Sequence, residues 1–253
     1  MVRRWFVAAA LALLAAAPVQ ATEIHVMISG GFSEAYRELV PVFEKATGHN
    51  VVTAYGPSMG TSAEAIPNRL KRGEPADVLI MVGYALDELV DNKLAVADSR
   101  VVLARSLVGA AVRKGAPKPD ISTVEGLKKA LLEAKSVAYS DSASGVYVST
   151  ELFQKLGIAE QMHGKARKII AERVGNVVAR GDAELGFQQV SELKPIAGIE
   201  LLGPLPAEVQ KITLFSAGIA SGSKDAAAAK ALIAFLASKD AAAIIAKSGL
   251  EPR

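Results

Sequence analysis

The sequence predicts an α/β fold, in which short apolar strands alternate with amphipathic helices along one chain. Three observations carry this prediction. Short runs rich in Val, Ile and Leu recur along the 253 residues, and several end in turns of Ser and Gly. Stretches with helical spacing and readable helix ends lie between them. No internal repeat, low-complexity linker or charged tail interrupts the alternation. Strands that alternate with helices imply mostly parallel sheets, whose ligands bind at the carboxyl ends of strands.

The first element is a leader. Arg3 and Arg4 precede an apolar run from Trp5 to Ala17, and Pro18–Val19–Gln20–Ala21 supplies small residues before a cleavage point. The run is too short to span a bilayer, so residues 1–21 read as a secretory signal peptide. Residues 22–253 are then the mature chain, exported to a periplasm.

The mature chain opens with a strand over Ile24–Ile28 and the turn Ser29–Gly30–Gly31. A helix from about Ser33 to Thr47 follows, closed by Gly48 as a C-terminal glycine. Asn50–Tyr55 is a second strand, ending in Gly56–Pro57–Ser58–Met59–Gly60. Pro67 suits the first position of a helix to Arg72. Val78–Val82 is a third strand, followed by a helix near Ala85–Asp91. Ser106–Arg113 is a further strand, and Ser122–Thr123–Val124–Glu125 reads as a capping box for a helix to Ala134. Val137–Ser140 leads into the hydroxyl-rich loop Ser140–Gly145 and a helix over Val148–Leu156. Val174–Arg180 starts another helix, and Leu185–Gln188, Ile199–Leu202 and Ile212–Ile219 read as strands. Two Ala-rich helices, Ala226–Ala237 and Ala241–Ser248, end the chain.

Composition excludes several chemistries. The chain has no cysteine, which rules out thiol catalysis, iron–sulfur clusters and cysteine zinc sites. His25, His49 and His163 stand far apart and beside no acidic cluster, so no histidine metal site or Ser/His/Asp triad is legible. Two of the 29 basic residues lie in the leader, which leaves the mature chain near neutrality against 26 acidic residues. That balance gives no case for nucleic acid or an anionic membrane as partner. The expected partner is a small anion.

Three strand ends carry small polar loops: Ser29–Gly30–Gly31, Ser58–Met59–Gly60 and Ser140–Gly145. The last aims serine hydroxyls and backbone N–H groups at one point and contains no Lys or Arg, a neutral cradle for an anionic oxygen group. Alternatively, Ser144 merely caps the next helix.

The leader, Ile28–Ser29–Gly30, Ala54 to Gly60, Glu74–Pro75–Ala76–Asp77–Val78 and Gly181–Asp182–Ala183–Glu184–Leu185–Gly186 resemble the periplasmic molybdate-binding-protein family. The resemblance covers the mature chain and implies a two-lobed, type II solute-binding fold with a ligand cleft between lobes. Residues 22–108 and 213–253 would form lobe 1, and residues 109–212 lobe 2. It also implies that Ser29, Ser58, Ser144 and the backbone of Val177 hold an oxyanion. Gly30, Met59, Ser142 and Gly145 lie on the same loops. Gln188 stands where that family carries a tyrosine, and the segment from Ser58 to Pro75 is longer, which points to a larger ligand than molybdate.

Pro57–Ser58–Met59–Gly60, Ala65–Ile66–Pro67–Asn68–Arg69–Leu70, Ala138 to Tyr147 and Val178–Ala179–Arg180–Gly181 resemble the aconitate isomerases, periplasmic enzymes on the same scaffold. That resemblance implies a tricarboxylate ligand, a cis/trans isomerisation by proton shift, and no metal or organic cofactor. Asp141 and Tyr147 are the candidate proton carriers, with turn-forming and core-packing roles as their alternatives. Glu64 is a third, unless Thr61–Ser62–Ala63–Glu64 is a capping box. Arg69, ahead of Arg173 and Arg180, is the expected cationic partner of a carboxylate. The protein is expected to be a monomer, and the alternative function is a non-catalytic receptor that delivers molybdate, tungstate or an organic acid to the permease of an ABC importer.

Overall fold

The computed structural model describes residues 21–170 and 172–253. The leader lies outside them, save Ala21. The order of elements is β1 (Glu23–Ile28), α1 (Gly30–Thr47), β2 (Asn50–Tyr55), α2 (Ile66–Lys71), β3 (Val78–Val82), α3 (Gly83–Asp91) and β4 (Val101–Arg113). Then come α4 (Val124–Glu133), β5 (Val137–Ser140), α5 (Ala143–Tyr147), α6 (Phe153–Lys155), α7 (Ala159–Met162), β6 (Ala166–Ile169), α8 (Val174–Arg180) and β7 (Leu185–Gln189). The chain continues through α9 (Val190–Leu193), β8 (Ile199–Pro204), β9 (Ile212–Ile219), α10 (Ala226–Leu236), α11 (Lys239–Lys247) and β10 (Glu251–Pro252).

The class is α/β as predicted, but the sheet is mixed rather than mostly parallel. Its order is β2-β1-β3-β9-β4-β7-β5-β6, with β8 and β10 also on β4. Parallel pairing is confined to the two wings, β2-β1-β3 and β7-β5-β6. The centre is antiparallel, because β4 crosses from one wing to the other and β9 lies against it in the opposite sense. The first half of β4 pairs with β9, and its second half with β7 and β8. Strand alternation with helices alone favours parallel pairs, whereas the family resemblance implies a crossing near Ser106–Val112 and a return near Ile212–Ile219, the positions of β4 and β9.

Apolar residues gather on both sides of that crossing. One core runs from Ile24 to Ala104 and from Phe215 to Leu250, with Ala143 at its edge. A second spans Val108 to Val209 and is built on β5, β7 and the helices around Leu127 and Phe153. Side chains alternate across a strand, so Val137 faces that core while Ala138 faces a smaller cluster with Val174, Val177 and Val178 of α8. A fully buried Phe or Leu contributes about 1.5–3 kcal/mol, so these cores fix the wings and the loops at their rims.

Caps set several boundaries. Gly48 ends α1 in the left-handed region at φ 75° and donates its N–H to the Glu44 carbonyl at 2.8 Å. Asp225 caps α10 by accepting from Ala227 and Ala228 N–H groups. The cap of α4 is Thr123, which accepts from Gly126 N–H at 3.0 Å, and not Ser122. The helix predicted from Val148 starts earlier, at Ala143, and continues through a π-helical turn over Val148–Leu152. Thr61–Glu64 forms a turn, not a capping box, since Glu64 pairs with Arg69.

Asp77 explains one family marker structurally. Its carboxylate accepts the His25 N–H at 2.8 Å, the Ser223 hydroxyl at 2.8 Å and the Lys224 N–H at 2.9 Å. It therefore ties β1 to the turn that opens α10. Burial alone would raise its pKa, but these bonds outweigh burial and hold it below the usual carboxylate range.

Candidate functional site

A cavity of about 300 Å³ opens where β1, β2, β5 and β7 end. Seven of the predicted site residues line it: Ser29, Gly30, Ser58, Asp141, Ser142, Ser144 and Gln188.

Ser29 occupies the N-cap position of α1, in extended backbone, yet its hydroxyl makes no cap bond. Its Oγ is buried and is the one buried side-chain polar atom without a partner among the described residues. Such an orphan costs about 1–3 kcal/mol, a cost that a ligand oxygen would remove. The positive end of the α1 dipole lies beside it and favours that oxygen's negative charge. Ser58 is buried as well and accepts the Val82 N–H at 3.0 Å, so its own O–H is left to donate.

On the far wall, the Ser140 and Ser144 hydroxyls lie 3.0 Å apart, and Gly145 N–H donates to Ser140 Oγ at 3.2 Å. A Cβ on Gly145 would stand 1.6 Å from the Ser140 carbonyl oxygen, so this tight loop admits only glycine. Gly145 shapes the wall without lining it. Ser142 caps α5 by position and makes no side-chain cap bond.

Asp141 is not the free base that the sequence suggested. Its Oδ2 accepts the Thr61 N–H at 2.9 Å and the Thr61 hydroxyl at 3.1 Å, and Oδ1 pairs with Lys168 Nζ at 2.9 Å. Burial would raise its pKa, but Lys168 and Thr61 together hold it below the usual range. A carboxylate so held is a poor proton acceptor near neutrality. Tyr147 is also displaced. Its ring is buried in the second core, its hydroxyl donates to the Val209 carbonyl, and Lys155 and Lys211 lie over its faces. It lines a separate cavity with Tyr84 and Arg100.

Three further expectations are corrected. Arg69 staples the longer segment instead of facing a ligand, pairing with Glu64 and, at 2.5 Å, with Glu74. Met59 packs on the first core and accepts the Tyr84 hydroxyl on its sulfur at 3.7 Å. Val177 is buried in the cluster under α8 and does not reach the cavity.

The cationic groups of the cavity are Arg173 and Arg37. Arg173 donates to Ser33 Oγ at 3.0 Å and Glu34 Oε1 at 2.8 Å. Arg37 lies 5.0 Å over the Tyr55 ring and also pairs with Glu34. Burial would raise the pKa of Glu34, but the two guanidinium groups lower it. Two cations thus share the Glu34 carboxylate, and the corner carries a positive excess while Glu192 holds its proton.

Gln188 and Glu192 complete the floor. Gln188 Oε1 accepts the Val174 N–H at 2.9 Å, and its Nε2 donates to Glu192 Oε1 at 2.9 Å. Glu192 lies against Gly30, where a Cβ would stand 2.2 Å from Oε1. Burial pushes its pKa up to about 7, against the charge of Arg173 and the bond from Gln188. Sequence reasoning missed Glu192, Arg37 and Gln189. Glu192 carries no motif, and the short α9 that presents it follows β7 without a break.

Known proteins resemble this chain along most of its length. An aconitate isomerase from Pseudomonas sp is 54% identical over 240 residues, 95% of this chain and 91% of the relative. The molybdate-binding protein ModA of Azotobacter vinelandii is 30% identical over 258 residues, 97% of this chain and 96% of that one. A solved structure of the periplasmic molybdate-binding protein of the same organism superimposes with a TM-score of 0.71 at 22% identity, covering 91% of this chain and 99% of that structure. A sequence profile of bacterial extracellular solute-binding proteins matches residues 24–251. The chain is a member of the bacterial extracellular solute-binding protein family, with a molybdate-binding-like type II fold.

Proposed function

We propose that this protein interconverts cis- and trans-aconitate in the cavity between two lobes. The observation that carries the reading is the 54% identity to an aconitate isomerase along 95% of the chain. The donor set supports it. Lobe 1 comprises residues 22–108 and 213–253, lobe 2 residues 109–212, and the mature chain works as a periplasmic monomer after removal of the leader.

A tricarboxylate needs three seats. The orphaned Ser29 hydroxyl, the free O–H of Ser58 and the start of α1 suit one carboxylate. Ser142 and Ser144 offer hydroxyls to a second. Arg173 and Arg37 suit the third, through their excess charge. Each charge-assisted bond contributes roughly 1.5–3 kcal/mol net. A few such bonds reach the about −8 kcal/mol of micromolar binding. Isomerisation removes a proton from the substrate's CH2 carbon and returns it at the vinyl carbon, so the double bond shifts by one position. The donors around the carboxylates stabilise the negative charge that spreads over the allylic system.

The test incubates residues 22–253 with trans-aconitate and follows cis-aconitate by chromatography. Turnover without added metal or cofactor is expected. Absence of turnover, with calorimetric binding of molybdate, overturns the reading.

A second reading has its own support in the family profile and the molybdate-binding relative. In it the protein is a non-catalytic receptor that hands a carboxylate or an oxyanion to an ABC permease. Carboxylate binding without turnover would favour it.

A further inference from the structure

We propose that Glu192 is the group that removes and returns the substrate proton, and that Gln188 fixes its position. The proposal rests on the isomerase reading above and adds the proton carrier that it requires.

Four carboxylates line the cavity: Glu64, Asp141, Glu172 and Glu192. Glu64 is paired with Arg69, Asp141 with Lys168 at 2.9 Å, and Glu172 with Arg180 at 2.9 Å. Among the described residues, only Glu192 of the four has no cation within ion-pair distance. A carboxylate matched to a cation gives up basicity. Glu192 keeps its basicity, and burial holds its pKa near neutrality, at about 7, where a general base works best.

Gln188 fixes its position, and Gly30 leaves room for it. The Val174 N–H bonds to Gln188 Oε1, so the Gln188 amide has one orientation and must present Nε2 to Glu192. On the other side Gly30 offers bare backbone, and any side chain there would take the space of the carboxyl. Ser29, with its unpartnered hydroxyl, is the next residue, so an anion seated there lies beside Glu192. The charged groups around it are few. Arg173 acts on it directly, Glu34 and Arg37 of α1 are paired together, and Glu172 is paired with Arg180. Phe215 of β9 also lines this space and brings no charge.

The step balances without a co-reactant. A Glu192 oxygen takes the proton from the CH2 carbon, and the C–H electron pair becomes the new C=C. The former C=C pair is held as an allylic anion, delocalised onto the adjoining carboxylate. The same carboxyl then protonates the former vinyl carbon, and Glu192 returns to its starting state. Arg173 is close enough to act on Glu192, and its charge stabilises that anion.

The experiment compares wild type, E192Q and Q188L. Turnover of trans-aconitate is followed across pH, and affinity for trans-aconitate is measured by calorimetry. E192Q keeps size and the contact with Gln188 but cannot accept a proton. Its kcat should fall by about 10²–10⁴-fold, with binding of trans-aconitate retained. In Q188L the ionised carboxylate loses its donor and its fixed position, so the acid limb of the kcat/KM profile should move to higher pH and kcat should fall as well. Turnover by E192Q at the wild-type rate overturns the assignment and leaves the isomerase reading intact. Loss of binding by E192Q in place of turnover makes Glu192 a ligand-holding group and also overturns it. An unmoved limb in Q188L overturns the role of Gln188. An inactive wild type overturns the isomerase reading and this proposal together.

Discussion

The carboxylate of Asp141 accepts both the N–H and the hydroxyl of Thr61, at 2.9 and 3.1 Å, across eighty residues of sequence. Thr61 follows β2 and Asp141 follows β5, so the contact joins the rims of the two cores. Gly60 makes the approach possible. At φ 105° it adopts a backbone that side chains avoid, and a Cβ there would stand 2.2 Å from the Asp141 carbonyl oxygen. Asp141→Ala removes the acceptor of two Thr61 donors and the partner of Lys168, and should lower stability by about 1 kcal/mol, since exposed Thr61 can turn to water. It should weaken ligand affinity as well, because the rims part. Thermal melts and calorimetry check both, and an Asp141→Ala protein with wild-type melting would refute the latch.

Ser29→Ala should separate binding from stability. Its hydroxyl is buried without a partner, so its removal relieves a desolvation cost in the free protein. Melting temperature is expected to hold or rise. Affinity for the ligand should fall by about 1–3 kcal/mol, because the hydroxyl finds its partner only in the complex. Parallel melts and titrations read the two effects, and a loss of stability with intact affinity would contradict this account.

Part of the site was legible in the sequence. The strand ends with Ser29, Ser58 and Ser140–Gly145 were readable, because small polar residues after apolar runs have a meaning independent of the rest of the chain. The proton chemistry was not. Asp141 sits in the hydroxyl loop and looked catalytic, but Thr61 and Lys168, remote in sequence, neutralise it. Glu192 has no local signal and acquires its character from burial in the cavity, against Gly30, which is remote in sequence. Arg69 lies beside the site in sequence yet turns to Glu64 and Glu74, whereas Arg173 arrives from another element. The parallel bias failed for a similar reason, since β4 pairs with β9, which is far along the chain.

Asp77→Asn should weaken the fold at neutral pH and flatten its response to acid. The folded pKa of Asp77 is lowered by the donors of His25, Ser223 and Lys224. A lowered carboxylate stabilises the fold above its unfolded pKa, about 3.9. That stability is lost as pH falls through the lower folded value. Denaturant midpoints for wild type and Asp77→Asn should differ most at neutral pH and converge in strong acid. A constant difference across the range would rule out ionisation as the source.

Glu192 works in the opposite sense. Its folded pKa, about 7, lies above the ordinary value of 4.5, so the folded state binds the proton more tightly than the unfolded one. Between those two values stability falls as pH rises, and above about 7 the full cost remains. A tenfold difference in proton affinity between the two states corresponds to about 1.4 kcal/mol, so the ceiling of that cost is about 3 kcal/mol. Glu192→Gln removes the charge and should raise the melting temperature at pH 8, with little change near pH 4. The same substitution is expected to abolish turnover, so stability and activity trade against each other at one carboxyl. Melting curves of the two proteins from pH 4 to 8 check the sign. A variant that melts below wild type at pH 8 would mean that the carboxylate is stabilised in the cavity, and that burial does not set its proton affinity.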